Sequence, residues 1–158
     1  MQTIMDNASG VNTVDFVLLP EHNLGIERYN SRVDYHTIVE VSKKIWDHAD
    51  YNRKINALVD LRGCKVSLSV KEVIRLVAFF AKEPRSIRGR SAIIADTPKS
   101  VALSALFQSR ILLISKTQVV STPEAGLAFV GADAGLYAEI NSTRTIRVVV
   151  APKPVASV

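Results

Sequence analysis

The stretch Ile55–Ser69, INALVDLRGCKVSLS, decides the fold that we predict for this chain. It begins with an apolar run that ends at Asp60, turns at Arg62 and Gly63, and reaches Ser69 after a short polar loop. An apolar run that ends in polar residues just before a helix is typical of a central strand in an α/β sheet. Acidic, basic, thiol and hydroxyl side chains also crowd together here, which makes the stretch the first candidate for a site.

A well-marked helix follows this strand, from Ser69 to Lys82. Ser69 and Glu72 have the spacing of a capping box, in which each side chain accepts a hydrogen bond from a free backbone N–H of the first turn. Pro84 ends the helix. The periodicity predicts one buried face, which consists of Val70, Val73, Ile74, Val77 and Ala81.

Strands and helices alternate along most of the remaining chain. We predict strands at Val14–Leu19, Leu24–Tyr29, Arg90–Ala95 and Thr117–Ser121, with helices that begin at Asp34, Thr97 and Thr122. The resulting order is β-β-α-β-α-β-α-β-α. This order favours a mixed, mostly parallel sheet with right-handed crossovers, in which the first strand is antiparallel at or near an edge.

The 158 residues fit one domain with two terminal additions. We expect a flexible arm over residues 1–12, the α/β domain over residues 13–131, and a C-terminal extension over residues 132–158. The extension is predicted to hold a β-hairpin, with strands at Leu136–Ile140 and Thr145–Val150, and a frayed end. Because three consecutive valines place apolar groups on both faces of the last strand, we expect it to pair with the domain's own edge or with a second chain. Of these we favour the homodimer.

Composition narrows the class of protein. The chain is 47% hydrophobic and 22% charged, it has no apolar run near the ~20 residues that cross a bilayer, and its first residues do not resemble a secretory signal. A single cysteine suggests a reducing, cytoplasmic compartment. The net charge is +5, but the basic residues are spread along the chain and few aromatic residues lie among them. We therefore expect no nucleic-acid partner.

Three short segments carry a resemblance to a known family. These are Val59–Gly63 (VDLRG) with the capped helix after it, Ser91–Ala95 (SAIIA), and Thr122–Phe129 (TPEAGLAF). Over residues 14–131 the chain resembles the SpoIIAA-like proteins, the STAS and SEC14-like domains. The resemblance implies a small bacterial α/β domain that binds partners or apolar ligands and usually lacks catalysis.

The leading function implied by this resemblance is a noncatalytic protein-protein interaction or regulatory module with a STAS-like fold. One alternative is a SEC14-like carrier of a lipid or other apolar ligand. Another is a small enzyme that acts near Asp60 and Cys64.

Polar residues follow two neighbouring strands of the predicted sheet. Asp60, Arg62 and Gly63 follow one of them and Asp96 follows the next. Ligands of open α/β sheets gather at the carboxyl ends of the strands, so these residues are candidates for the rim of a ligand or partner site, with Arg62 available to a carboxylate or phosphate. The alternative, which we favour, is a local Asp–Arg pair that organises the two loops.

Two serines are candidate phosphorylation sites. In the anti-sigma-antagonist branch of the resembled family, a phosphorylatable serine follows an aspartate at the end of the central strand. Here Asp60 is followed by Leu61-Arg62-Gly63, and the nearest hydroxyl groups belong to Ser67 and Ser69. We interpret Ser69 first as a helix cap and second as a phosphosite. The two roles are compatible, because a helix N-terminus favours a phosphate.

The chain shows no pattern for catalysis or metal binding. Cys64 is either a thiol that Arg62 and Lys65 make more acidic or, as we favour, a small buried apolar side chain. The three histidines are too widely spaced for a shared metal ion, and neither a phosphate-binding glycine loop nor a nucleophile elbow is present. We expect no catalytic residue, metal or cofactor.

Overall fold

The computed structural model describes residues 10–153. The strands among them are β1 (Asn12–Leu19), β2 (Leu24–Tyr29), β3 (Arg32–Val33), β4 (Asn56–Asp60), β5 (Lys65–Val66), β6 (Ser91–Ile94), β7 (Thr117–Val120) and β8 (Ile146–Val150). The α-helices are α1 (Tyr35–Trp46), α2 (Val70–Lys82), α3 (Pro98–Ile111) and α4 (Pro123–Val130). Two 3-10 helical segments cover Pro20–His22 and Ala134–Asn141.

The main sheet has the strand order β7-β6-β4-β2-β1-β8. Strands β2, β4, β6 and β7 are parallel, whereas β1 is antiparallel to both β2 and β8. The predicted mixed, mostly parallel α/β sheet is therefore confirmed, including its antiparallel first strand. The short pair of β3 and β5 lies apart from this sheet and was not predicted.

Side-chain caps fix where the helices begin. The Asp34 carboxylate accepts a hydrogen bond from Thr37 N at 2.8 Å at the start of α1. Ser69 and Glu72 form the predicted capping box of α2, and Thr97 and Thr122 cap α3 and α4. Each cap satisfies a backbone N–H that has no partner within its own helix.

The sheet has two faces with separate apolar cores. Helices α1, α2 and α3 cover one face, which presents Phe16, Leu18 and Tyr29. Helix α4 and the 134–141 segment cover the other face, which presents Leu24 and Ile26. The two sets alternate along β1 and β2 because successive side chains of a strand point to opposite faces.

Helix α2 buries a different stripe from the one predicted. Val73 and Leu76 are buried, but Val70 and Ile74 are 56% and 44% exposed, and Ala81 is exposed as well. The prediction of the buried face is confirmed for Val73 and wrong for Val70, Ile74 and Ala81. Because α2 carries apolar side chains on most of its circumference, periodicity alone did not determine which of them face the sheet.

Of the predicted C-terminal hairpin, the strand at Leu136–Ile140 is wrong, whereas the last strand is present and pairs with the domain's own edge. Residues 134–141 form a 3-10 segment, and its Ile140 side chain is buried in the apolar core that the sheet shares with α4. β8 instead pairs with β1 of the same chain, with Val148 opposite Val14. The last strand thus needs no second chain to pair, and the homodimer stays a prediction.

The predicted ends of the chain lie partly outside the described residues. Residues 1–9 of the expected flexible arm and residues 154–158 of the expected frayed end are in those parts. Asn12, the last residue assigned to the arm, belongs to β1, and its side-chain amide donates to Arg32 O at 2.6 Å. Strand β1 thus begins two residues earlier than predicted.

Candidate functional site

The four predicted rim residues lie together at the carboxyl ends of β4 and β6. Arg62 Nε and Nη2 donate to the two carboxylate oxygens of Asp60 at 3.0 and 2.8 Å, and the Arg62 backbone N–H donates to Asp60 Oδ1 at 3.0 Å. The Gly63 backbone N–H lies 3.4 Å from Asp96 Oδ2. A bidentate pair of this kind holds the guanidinium plane in a fixed orientation.

Tyr137, which was not predicted, completes this cluster. Its hydroxyl donates to Asp60 Oδ2, and the Arg62 guanidinium lies 5.7 Å from the centre of its ring. Burial alone would raise the pKa of Asp60, but the hydrogen bonds from Arg62 and Tyr137 outweigh it and lower the pKa below 3.8. The Asp60 carboxylate thus already has hydrogen-bond donors on both oxygens. Through Tyr137 it also links the 134–141 segment to the sheet.

The two candidate phosphorylation sites have different surroundings. Ser69 is exposed, and its hydroxyl accepts a hydrogen bond from Glu72 N at 3.1 Å as the N-cap of α2. Ser67 is half-buried, and its backbone N–H donates to Val33 O at 2.8 Å beside the β3–β5 pair. Phosphorylation of either residue stays a prediction.

Cys64 is buried, and its thiol donates to the carbonyl oxygen of Tyr29 at 3.0 Å. Burial, together with the smaller effect of the negative charges of Asp60 and Asp96, raises the pKa of this thiol to about 11. These effects outweigh the acidifying influence expected from Arg62 and Lys65. A protonated thiol is a poor nucleophile, so the surroundings of Cys64 do not favour chemistry there.

Neither a cluster of metal ligands nor a helix suited to span a membrane is present among the described residues. No group of three or more His, Cys, Asp or Glu side chains within residues 10–153 is placed to hold a metal ion. No helix in that range has both the length and the apolar character that a membrane-spanning helix requires.

A cavity of about 190 Å³ lies inside the domain, between the sheet and helices α1, α2 and α3. Its floor includes Phe16, Val59 and Ile93 of the sheet. Its walls and roof include apolar side chains from each helix, namely Ile38, Ile45, Trp46, Val73, Leu76, Phe80, Leu103, Phe107 and Ile111. Ligand pockets in proteins are mostly apolar concavities of this kind.

Small side chains explain why this space is unfilled. Gly25, Ala57 and Ser91 are aligned across β2, β4 and β6. The Leu18 side chain lies over Gly25, so the low part of the floor is formed by the small side chains of Ala57 and Ser91. Above the sheet, Ser100 and Ser104 of α3 line the same cavity. Interiors normally pack to the density of organic crystals, so small residues on both sides of one gap leave a void.

The cavity also contains polar groups. Glu27 on β2 lines it, and burial raises the pKa of this carboxyl to about 7, while a hydrogen bond from the Tyr29 hydroxyl opposes the rise. Ser86, which also lines the cavity, is only 1% exposed, and its hydroxyl has no hydrogen-bond partner among the described residues. Buried polar groups are rarely left without partners, so the unpaired hydroxyl of Ser86 is unusual.

Sequence reasoning did not identify the cavity or Glu27. A usable signal was present, since Gly25 and Glu27 share one face of β2 with Tyr29, whereas β-branched or other apolar residues are usual on the inner face of a central strand. The alignment of Gly25 with Ala57 and Ser91 depends on the strand register, which no single strand reveals.

The chain is similar to a solved structure of low sequence identity. No family model matches the chain, and no curated protein matches it. The chain is similar to the crystal structure of an uncharacterized protein of the DUF3478 family from Shewanella loihica PV-4, which is described as having a SpoIIAA-like fold. The identity is 13%, the similarity covers 68% of this chain and 83% of that chain, and the TM-score is 0.46. The sequence resemblance over residues 14–131 implied the same fold name.

Proposed function

We propose that the protein binds a small, largely apolar ligand in the cavity between the sheet and helices α1 to α3. The observation that carries this proposal is a void of about 190 Å³ with an apolar lining from three helices and the sheet. The proposal agrees with the alternative of an apolar-ligand carrier, and it involves no chemical reaction.

The size of the cavity limits the ligand. An engineered cavity of about 150 Å³ in another protein holds one benzene molecule. A cavity of about 190 Å³ therefore accommodates a single ring with a short substituent, or a short alkyl chain. A lipid with two acyl chains exceeds this volume, so a phospholipid carrier is not what we propose.

The test uses 2-phenylethanol as the probe and nuclear magnetic resonance of labelled methyl groups as the readout. We expect saturable shifts of the methyl groups of Val73, Leu76 and Leu103, which line the cavity on two different helices. Titration without any saturable shift of these methyl groups would refute the proposed function.

A cavity-filling variant and a matched control localise the binding. Ser104→Leu adds an apolar side chain to the cavity lining and should abolish the shifts, because the added volume occupies the space of the ligand. Ser109→Leu introduces the same side chain at an exposed position of α3 and should leave binding intact. Thermal denaturation of both variants verifies that each is folded. Equal binding by the two variants would place the ligand elsewhere.

The interaction module predicted from the sequence stays a prediction. Val70 and Ile74 on the outer side of α2 supply exposed apolar surface that a protein partner could cover. No feature of residues 10–153 specifies the chemistry of that partner.

A further inference from the structure

Glu27 is half-buried and lines the cavity, and it differs from the buried carboxylates Asp15 and Asp60 in its lack of a cation. Asp15 is buried and pairs with Arg147 at 2.8 Å and with Arg28 at 3.1 Å. Asp60 is buried and pairs with Arg62 at 2.8 Å. By contrast, no Lys, Arg or His side chain in the described part of the chain forms an ion pair with Glu27.

This lack of a cation has a free-energy cost. An ionised carboxylate that is shielded from bulk water is unfavourable unless a positive charge or several hydrogen-bond donors compensate it. The phenolic hydroxyl of Tyr29 lowers the pKa of Glu27 as a hydrogen-bond donor, but it carries no positive charge. The pKa of Glu27, raised to about 7 by burial, reflects this incomplete compensation. A bound cation would supply what Arg62 supplies to Asp60.

The rest of the lining suits a cation that carries an apolar body. Aromatic side chains from the sheet, from α1 and the loop after it, and from α2 and α3 surround the space, namely Phe16, Tyr29, Trp46, Tyr51, Phe80 and Phe107. Aromatic faces attract cations through their quadrupoles, and the attraction is larger where water is excluded. The same rings provide apolar contact for a hydrocarbon group.

We propose that the ligand of this cavity is a small lipophilic amine, whose protonated nitrogen pairs with the Glu27 carboxylate while its apolar body contacts the surrounding rings. This inference rests on the proposed function, because it assigns the chemical class of the ligand in the same cavity. The volume of about 190 Å³ restricts the class to arylalkylamines and short alkylamines.

The experiment compares three probes of nearly equal size by isothermal titration calorimetry at neutral pH. They are 2-phenylethylamine, which is cationic, 2-phenylethanol, which is neutral, and 3-phenylpropanoate, which is anionic. We expect the wild-type protein to bind the amine at least tenfold more tightly than the alcohol and to bind the anion most weakly. Equal affinity for amine and alcohol would overturn this inference while leaving the proposed function intact. Absence of binding by all three probes would refute the proposed function itself.

The variant Glu27→Gln separates charge pairing from apolar contact. It retains the size of the side chain and removes its negative charge, so the at least tenfold preference for the amine over the alcohol should disappear. A preference for the amine that persists in Glu27→Gln would overturn the role of this carboxylate. The comparison of probes on the wild-type protein decides the inference independently if this variant is poorly folded.

Discussion

The Glu27 carboxyl group should make the stability of the protein depend on pH in a direction that is opposite to that of its salt-bridged carboxylates. Burial raises its pKa from 4.5 to about 7 in the folded chain. Between these two values the folded chain keeps a proton on Glu27 that the unfolded chain has released. The free energy of unfolding should therefore fall by about 1.4 kcal/mol for each pH unit across this window.

The magnitude follows from the size of the window. The destabilisation that Glu27 causes is absent below pH 4.5 and reaches about 3 kcal/mol above pH 7. Replacing Glu27 by Gln removes the titrating proton. Glu27→Gln should thus be more stable than the wild type by up to about 3 kcal/mol at pH 8, reduced by any hydrogen bond that the amide lacks. At pH 4 the two proteins should have similar stabilities.

The two tyrosines that line the cavity near Glu27, and the buried Asp15, titrate outside this pH window. Burial raises the pKa of Tyr51 to about 12, and it raises the pKa of Tyr29 well above 10, so neither phenol titrates in the window. Asp15, whose pKa the hydrogen bonds from Arg147 and Arg28 lower to about 2, affects stability only at more acidic pH. The difference between wild type and variant therefore isolates Glu27.

The assay is urea denaturation of both proteins at intervals from pH 4 to pH 8, with the free energy of unfolding extrapolated to water. Glu124→Gln is the matched control, because Glu124 is exposed on α4, and this variant should follow the wild-type profile closely. Parallel profiles for wild type and Glu27→Gln would show that the carboxyl is solvated, and the reasoning about the cavity would then be refuted.

Four further predictions concern packing and the cluster around Asp60. Gly126→Ala should lower stability by about 1 to 3 kcal/mol in denaturant, because the added Cβ would lie 2.4 Å from Leu58 Cδ1; wild-type stability would contradict the packing of α4. Arg62→Ala should cost about 1 to 3 kcal/mol, since it leaves the buried Asp60 without its cation but with the Tyr137 hydroxyl as a donor; an unchanged stability would show that the pair is dispensable. Cys64 should react with a thiol reagent only after denaturation; rapid labelling of the native protein would contradict its burial. Deletion of β8 should lower the denaturation midpoint, since it uncovers the edge of β1; an unchanged midpoint would contradict this pairing.

Local chemistry explains why much of the fold could be predicted. The boundaries of α2, α3 and α4 follow from Ser69, Thr97 and Thr122, since a cap acts within four residues of its own position. The alternation of strands and helices then limits the sheet to a few topologies. These signals are short-ranged, so the sequence displays them directly.

The incorrect predictions depend on long-range packing. LYAEI, which covers Leu136–Ile140, has the alternation of a strand, but Ile140 and Tyr137 contact the sheet from a 3-10 segment. Tyr137 reaches Asp60 across 77 positions of the chain, and no local pattern links the two. The rotation of α2 likewise depends on its neighbours, because its C-terminal turns pack in an aromatic cluster with Trp46.

The cavity is not a consequence of a shortage of apolar residues. On α3, Ser100 and Ser104 lie in the cavity lining whereas Val101 is exposed, and on α2 the large residue Ile74 is exposed as well. A rotation of either helix, or a large apolar residue in place of Ser104, would supply side chains to fill the space. Ser100 has a separate role, because it forms the capping box of α3 with Thr97. On the opposite face of the sheet, Gly126 has no side chain, and α4 lies so close to the sheet that a Cβ atom at this position would be 2.4 Å from Leu58 Cδ1. The same chain therefore packs one face closely and leaves the other open at a cost in stability. Departures of this kind from the best packing are expected where a protein binds a ligand.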